Sequence, residues 1–403
     1  MSVDAPEVVG RLEEAAGGRV RDASSDDAVD GVSPRVVVSP GDQDSVSRVM
    51  SVCQELGLAV VPRGAGTRLG WGTAPSRVDV VLDLTGLDQL VEHTAGDLVA
   101  VVQPGRRLED LQADLAKAGQ WLAVDPPRRG SIGGLVATAS TGPIRLYAGP
   151  VRDLVIGATV VRADGVVAKS GGKVVKNVAG YDLGKLFTGS YGTLGVLTQV
   201  ALRLHPLPER STWVCVSVTS PTAARDAVLR IAHSHLVPSG VELDWHDGGG
   251  ELAVRLDGIP KGVEARTTDA EDLLGPGASS SDEAPAWWGT EPSAGEVLLK
   301  VSHEVASLGE VLAAVGAAHT RGSAGVGTLY VSVPAESAVE MVAGLRSAAP
   351  RFGGAVVVLD APAETKAQLD VWGPVRGLDL MRRVKDQFDP NRVLSPGRFV
   401  GGI

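Results

Sequence analysis

Apolar and polar positions alternate in blocks along the first half of the chain. RVVVSP, from Arg35, reads as a strand. Apolar residues then recur at helical spacing from Asp42 to about Leu56, and LAVVP follows as a second strand. DVVLDL and LVAVVQPG continue the strand pattern, and a helix is expected from about Leu108 to Ala118. An Ala/Val/Thr stretch within Pro126 to Gly149 reads as a short helix, and Ala163-Asp164-Gly165 as a hairpin turn. Past Pro206 and Pro208 the pattern changes. From about 211 to 370, TWVCVSV, EVLLKVS, TLYVSV and AVVVLD alternate with helical stretches, as in a separate α+β domain. Within it, about Lys261 to Glu296 is rich in Gly, Ser, Pro and acid and is expected to be a mobile loop or insertion, Trp287 and Trp288 excepted. An amphipathic helix ends near Phe388, Pro390 breaks it, and the tail runs out through a Pro/Gly turn.

Composition narrows the function classes. The 403 residues, 44% hydrophobic and 21% charged, suffice for two packed domains. A formal net charge of −10 without a long Lys/Arg run argues against nucleic acid or an anionic membrane surface as partner. Cys53 and Cys215 belong to no C-x-x-C pair, so an iron–sulfur cluster or thiolate zinc site is not expected in this chain. No apolar stretch approaches the roughly twenty residues of a membrane span, and the N-terminus has no secretory pattern; a cytoplasmic location is expected.

The chemistry is carried by three glycine-rich loops. PRGAGTRLGWG, Pro62 to Gly72, follows a strand, and its small residues let backbone N–H groups converge on an anion, as a pyrophosphate would require. It is not a Rossmann fingerprint: Leu69 occupies the third glycine position and the loop leads into a strand. Nor is GYDLGK a Walker A loop, since three residues separate its glycines and Leu186 replaces the Ser/Thr. The other two loops are DPPRRGSIGGLVATASTG and KNVAGYDLGKLFTGSYGTLGV.

In order and spacing these loops, with the closing DPNRVLSPGRF, resemble the vanillyl-alcohol oxidase and p-cresol methylhydroxylase (PCMH) type FAD-binding flavoproteins, and within them the FAD-binding subunits of bacterial glycolate oxidases. The likeness covers roughly residues 30 to 210 and 370 to 403. It implies an α+β fold: a two-lobed PCMH-type FAD-binding domain (1–210, lobes about 30–100 and 101–210), an inserted α+β cap (211–370), and a C-terminal return, 371–403, that completes the FAD domain. Carried over by position, Arg63, Gly64, Ala65, Gly66 and Thr67, flanked by Pro62 and Leu69, would wrap the pyrophosphate. Ile132, Gly133, Gly134 and Thr138, with Pro126 and Ser131 of the same segment, would lie along the ribityl chain and flavin. Gly192, Gly195 and Val196 would close over the adenosine end, and Gly142 and Arg152 are further candidates.

Departures from the family pattern shape the functional expectation. Relatives with covalent flavin carry a histidine at or near the position of Thr67, so FAD is expected to be non-covalent here. The usual N-P-G turn reads Ser395-Pro396-Gly397, and Ser395 can still hydrogen-bond the flavin. The H-x-G-D-G-N-type segment of the catalytic 2-hydroxy-acid dehydrogenases is missing from the cap. His233, His235, His246, His303 and His319 are the available imidazoles there, each expected to be structural, and no catalytic residue is assigned. Tyr181, Asp182 and Lys185 are expected chiefly to shape the domain; Trp287 and Trp288 suit either a partner surface or packing on the cap's own sheet. The resemblance implies a FAD-dependent oxidoreductase subunit that oxidises a small 2-hydroxy acid beside partner flavoprotein and iron–sulfur subunits, through which it could sit at a membrane. A self-sufficient 2-hydroxy-acid dehydrogenase and a structural FAD-binding subunit stay open as alternatives.

Overall fold

A computed structural model describes residues 5–173, 182–293 and 295–403. The first sheet is ordered β1-β2-β4-β3, formed by β1 (Val20–Asp22), β2 (Val36–Val38), β3 (Val60–Arg63) and β4 (Val80–Asp83). β2, β4 and β3 run parallel, as the strand–helix–strand reading requires. The connecting helix, Gln43–Leu56, starts where Asp42 accepts from the Ser45 amide at 2.7 Å and stops at Gly57, whose φ of 62° only glycine adopts at little cost. It buries Val46, Val49, Met50 and Cys53, one stripe at 3–4 residue spacing, against the sheet. An N-terminal helix, Ala5–Ala16, packs beside it.

The second sheet is antiparallel, in the order β5-β6-β10-β8-β9. Its strands are β5 (Leu90–Thr94), β6 (Val99–Val102), β8 (Val155–Val161), β9 (Val167–Gly171) and β10 (Val196–Arg203). A two-residue strand, β7 (Gln120–Trp121), pairs with β11 (His205–Pro206). Helix Leu108–Ala116 and the short helix Ile132–Ala137 cover the sheet with Leu108, Leu111, Leu115, Ile132, Leu135 and Val136.

The third sheet has eight strands, ordered β15-β12-β14-β13-β17-β18-β16-β19. They are β12 (Arg210–Val218), β13 (Gly240–His246), β14 (Gly249–Gly258), β15 (Ser279–Ser281), β16 (Val297–Ser302), β17 (Thr320–Ser323), β18 (Thr328–Val333) and β19 (Ala355–Asp360). One face is apolar: Leu243, Leu252, Val254, Leu299, Val301, Leu329 and Val331 pack under helices Pro221–Ala232, Pro260–Leu274, Leu308–Val315 and Ala338–Ala348. The alternate positions face the other way and are largely polar.

The loop expected over 261–296 is corrected. Its first half is the helix Pro260–Leu274, which has Pro at its first turn and buries Val263, Ala270 and Leu274 at helical spacing. The high acid and Thr content lies on its solvent side and masked that stripe. Ser279–Ser281 then pairs with β12, and Trp287 and Trp288 fold back on the sheet.

The C-terminal segment returns to the first sheet. Val60 donates to the Val393 carbonyl at 2.8 Å and Ser395 donates back to Val60 at 2.9 Å, so the tail runs beside β3. The Lys385 ammonium, fully buried, donates to Asp389 at 2.7 Å, to the Thr193 carbonyl at 2.7 Å and to the Leu394 carbonyl at 2.8 Å. This one side chain ties the closing turn to the third glycine-rich loop.

Candidate functional site

A cavity of about 860 Å³ opens where the three glycine-rich loops and the C-terminal segment meet. One wall is the turn after β3, Pro62 to Leu69; a second is Ser131, Gly133, Gly134, Ala137 and Thr138; a third is Phe187, Ser190, Tyr191, Gly192, Gly195 and Leu197; Arg398 closes one end. The glycines are there because side chains would not fit. A Cβ on Gly64 would overlap the Ser131 hydroxyl, and one on Gly133 would stand 2.6 Å from Pro104. Gly66 holds a φ of 74°.

Local polarity suits an anionic, hydrogen-bonding ligand. Among the described residues, the amides of Gly64, Gly66 and Thr67 find no acceptor in the protein. The Arg63 side chain is taken up by Asp27 at 2.9 Å and Asp83 at 2.8 Å, so this residue offers the cavity its main chain rather than its charge. Three buried donors facing this region lack partners: Arg398 Nη1, Arg68 Nε and the Ser395 hydroxyl. Arg398 Nη2 meanwhile donates to the carbonyls of Leu69 at 2.8 Å and Trp71 at 2.7 Å, which fixes the guanidinium against the first loop. Burial, and then the like charge of Arg128, pushes the Arg68 guanidinium down to about 10. Unpaired buried donors of this kind cost roughly 1–3 kcal/mol each, a cost that a ligand supplying acceptors removes.

Of the predicted site residues, the structure brings Pro62, Arg63, Gly64, Ala65, Gly66, Thr67, Leu69, Ser131, Gly133, Gly134, Thr138, Gly192 and Gly195 to one cavity. Ser395 stands just behind the wall: a Cβ on Gly192 would lie 3.4 Å from its hydroxyl. The rest lie off the cavity lining. Ile132 and Val196 are fully buried in the two cores beneath the cavity, because in each case the alternation that frees the neighbouring glycine turns the aliphatic side chain inward. Gly142 is pressed against the Asp125 main chain and lines a second recess instead, and Pro126 is buried beside Pro127 of that recess. Arg152 is exposed on the helix Val151–Leu154, where its carbonyl accepts from Lys185 at 2.6 Å. That contact gives Lys185 a structural role and Asp182 is exposed; Tyr181 lies outside the described residues.

Sequence reading missed Arg68, Arg398 and the aromatic group around Trp71, Tyr191, Trp372 and Phe399. Arg68 sat in plain view inside the quoted loop, whereas nothing local shows that Arg398 crosses back to residue 69.

The polar face of the third sheet carries the other titratable groups. Asp244 accepts from Arg321 at 2.7 Å and contacts His319 at 2.9 Å; Arg128 bridges Glu291 at 2.8 Å and Asp360 at 2.5 Å, joining the two halves of the molecule. Trp287 donates to Glu251 at 2.6 Å and Trp288 packs edge-on against Trp213, so both tryptophans serve the cap's own sheet. Of the cap histidines, His233, His235 and His246 are exposed, His303 is buried beside the Glu304 carbonyl, and His319 is held by Asp244 and Ser293.

Residues 34–171 match the family described as FAD binding domain, and residues 369–399 match the C-terminal domain of FAD linked oxidases. The chain thus carries a FAD-binding domain and a closing segment of the kind found in FAD-linked oxidases. The chain is 29% identical to glycolate oxidase subunit GlcD of Bacillus subtilis, over 91% of this chain and 89% of that one. It is 37% identical to glycolate oxidase subunit GlcE of Escherichia coli over 46% of this chain and 51% of that one. A mitochondrial D-lactate dehydrogenase (cytochrome) of Arabidopsis thaliana is 29% identical over 67% of the chain, which spans half of that protein. The fold is also that of alkyldihydroxyacetonephosphate synthase, with a TM-score of 0.75 at 16% identity over 98% of this chain and 85% of the other. The protein is thus a FAD-dependent oxidoreductase. Among the described residues no helix is long and apolar enough to cross a membrane.

Proposed function

We propose that this FAD-linked oxidase holds FAD non-covalently in the cavity of Pro62 to Leu69, Ser131 to Thr138 and Ser190 to Gly195, and oxidises a small 2-hydroxy acid. The single observation that carries the reading is the cluster of acceptor-less amides at Gly64, Gly66 and Thr67 facing the same space as the unpaired Arg398. The amides and the positive end wall suit a pyrophosphate, and the Ser395 hydroxyl suits the polar edge of a flavin ring. Among the described residues no histidine or cysteine lines the cavity, which supports reversible attachment. When bound, FAD supplies the two-electron acceptor that no side chain offers. The chain's own part is to hold it, exclude water with Phe187, Leu197 and Tyr191, and present substrate from the cap.

The division into a FAD-binding unit (1–210), a cap (211–370) and a C-terminal return (371–403) belongs to the same reading. So does assembly: the names of the GlcD and GlcE relatives, both subunits, support work beside a related chain, and an iron–sulfur acceptor is a further part of the proposal. The likeness to GlcD over most of both chains favours a second reading, a self-sufficient dehydrogenase.

Three measurements on the purified protein decide. Acid precipitation should release yellow FAD into the supernatant; flavin left in the pellet refutes non-covalent binding. Anaerobic glycolate or D-lactate should bleach the bound flavin, and failure with a panel of 2-hydroxy acids refutes the substrate class. Co-purification of further chains separates the subunit from the self-sufficient enzyme.

A further inference from the structure

We propose that the seam between the FAD-binding half and the third sheet is a proton-linked joint. Asp125 from one side and Glu242 from the other turn their carboxyls into it with no cation bonded to either, so that the seam closes with uptake of protons and loosens as pH rises. The proposal is independent of which substrate the enzyme takes.

The FAD-binding side of the seam is the stretch Gly142 to Leu146, seated on β13 and on the turn between β17 and β18. Leu146 packs on the core of the third sheet, and Arg145 donates to the Thr328 hydroxyl at 3.5 Å. Gly142 has no room for a side chain, because a Cβ there would overlap the Asp125 carbonyl. That close approach holds Asp125 against the stretch, where its carboxyl accepts from the Ile144 amide at 3.0 Å. On the opposite side Glu242, in β13 and 4% exposed, accepts from the Ser323 hydroxyl of β17. A second contact crosses the same seam: the Arg255 guanidinium of β14 stands 5.8 Å from the Trp121 ring and 5.2 Å from the Trp213 ring.

The charges on the surrounding elements leave both carboxyls uncompensated. Arg255 is bonded to Asp257 at 2.9 Å, so that pair brings little net charge to Asp125. Asp244, next along the same face of β13, takes Arg321 at 2.7 Å and His319 at 2.9 Å. Arg128 is committed to Glu291 and Asp360. Arg145 and Tyr330 line the small recess beside Glu242, and Lys300 lies opposite Tyr330 in the β16–β18 pair. Among the described residues neither Arg145 nor Lys300 bonds to Asp125 or Glu242. Carboxyls buried together without a counter-ion favour their neutral forms. Burial, partly offset by the Ile144 amide and then by Arg255, lifts the Asp125 carboxyl to about 7. Burial, against the Ser323 hydrogen bond and with the charge of Asp125 added, lifts Glu242 well above the ordinary range.

The direction of the pH effect follows. A carboxyl raised in the closed seam stabilises closure fully below its open value of about 4, and that contribution is lost as pH climbs to the closed value. For Asp125 the loss runs up to about pH 7; for Glu242 it begins near the same point and ends well above it. Within its window each group loosens the seam by up to about tenfold per pH unit.

The test is hydrogen–deuterium exchange of the flavin-loaded protein from about pH 5 to about pH 8, each rate corrected for the unprotected amide at the same pH. Segments 141–146 and 240–246 report the seam, and the helix Gln43–Leu56, on the first sheet, is the control. From about pH 5 to about pH 7 the opening constant of the seam should rise roughly 10- to 100-fold relative to the control. Asp125→Asn and Glu242→Gln keep the shape and cannot ionise; each should make the rise shallower, and the double variant should remove it. A seam that stays flat in the parent, or a rise shared by the control helix, overturns the joint. So does a double variant with the parent's slope. If Asp125→Asn does not fold, the parent's profile and Glu242→Gln decide, and an unaltered slope in Glu242→Gln overturns the proposal.

Discussion

Replacing Lys385 by Met keeps most of the side-chain volume and removes only the charge and its three donors. The ammonium is fully buried and bonded to Asp389, Thr193 and Leu394 at 2.7–2.8 Å, so the substitution strands a carboxylate with the Val393 and Leu394 amides as its remaining partners. Breaking one side of a buried pair costs about 3–5 kcal/mol, and the two carbonyls left without a donor push towards the upper end. Against a total stability on the order of 5–15 kcal/mol that is a large fraction. The measurement is urea unfolding at one fixed free FAD concentration, since ligand alone shifts the apparent stability. The companion Lys385→Met/Asp389→Asn should recover part of the loss, because the stranded charge is gone. A single variant within about 1 kcal/mol of the parent, or a double variant no better than the single, refutes the argument. Because Thr193 lies between Gly192 and Gly195 on the cavity wall, FAD should also dissociate faster from Lys385→Met.

Other outcomes follow from the same geometry. Gly66→Asp should abolish flavin binding, by forcing a side chain onto a φ of 74° and setting negative charge against the phosphates; stoichiometric FAD in that variant would refute the loop assignment. Arg398→Met should lower FAD content more than Arg63→Met does, since the Arg63 charge is already spent on Asp27 and Asp83; equal loss would show the end wall to be unimportant. Hydrogen bonds from Arg21, working against burial, hold the Asp27 carboxyl far below the usual range, with Ser24 and Arg63 assisting. A depressed carboxylate stabilises the fold above the unfolded value near 4, and that contribution fades as pH falls below it. Acid unfolding should thus begin at higher pH in Arg21→Met, and an unchanged acid midpoint would count against the network.

Much of the FAD-binding half was legible because its signals are local. Asp42 and Gly57 bracket their helix by short-range capping, and the glycines of Pro62 to Gly72 announce a tight main-chain approach whatever lies around them. The short helix at Ile132 and the turn at Ala163-Asp164-Gly165 were readable for the same reason. What stayed hidden depends on distant pairing. That the Val196 and Ile132 side chains enter the cores shows only once the sheet beneath them is known. Glu242, Lys300 and Tyr330 lie far apart in the sequence, and only the register of β13 with β17 and β16 with β18 sets them on one face. The helix Pro260–Leu274 was obscured by its own polar side, which outweighs its three buried residues in any average over the segment.

The pairing of Val60 with Val393 and Ser395 orders events during biosynthesis. One boundary of the cofactor site comes from Val393, Ser395 and Arg398, so an emerging polypeptide can fold its early sheets yet offers only a half-built container until those residues have left the ribosome. Loading with flavin accordingly waits for that late segment to reach back to the first loop.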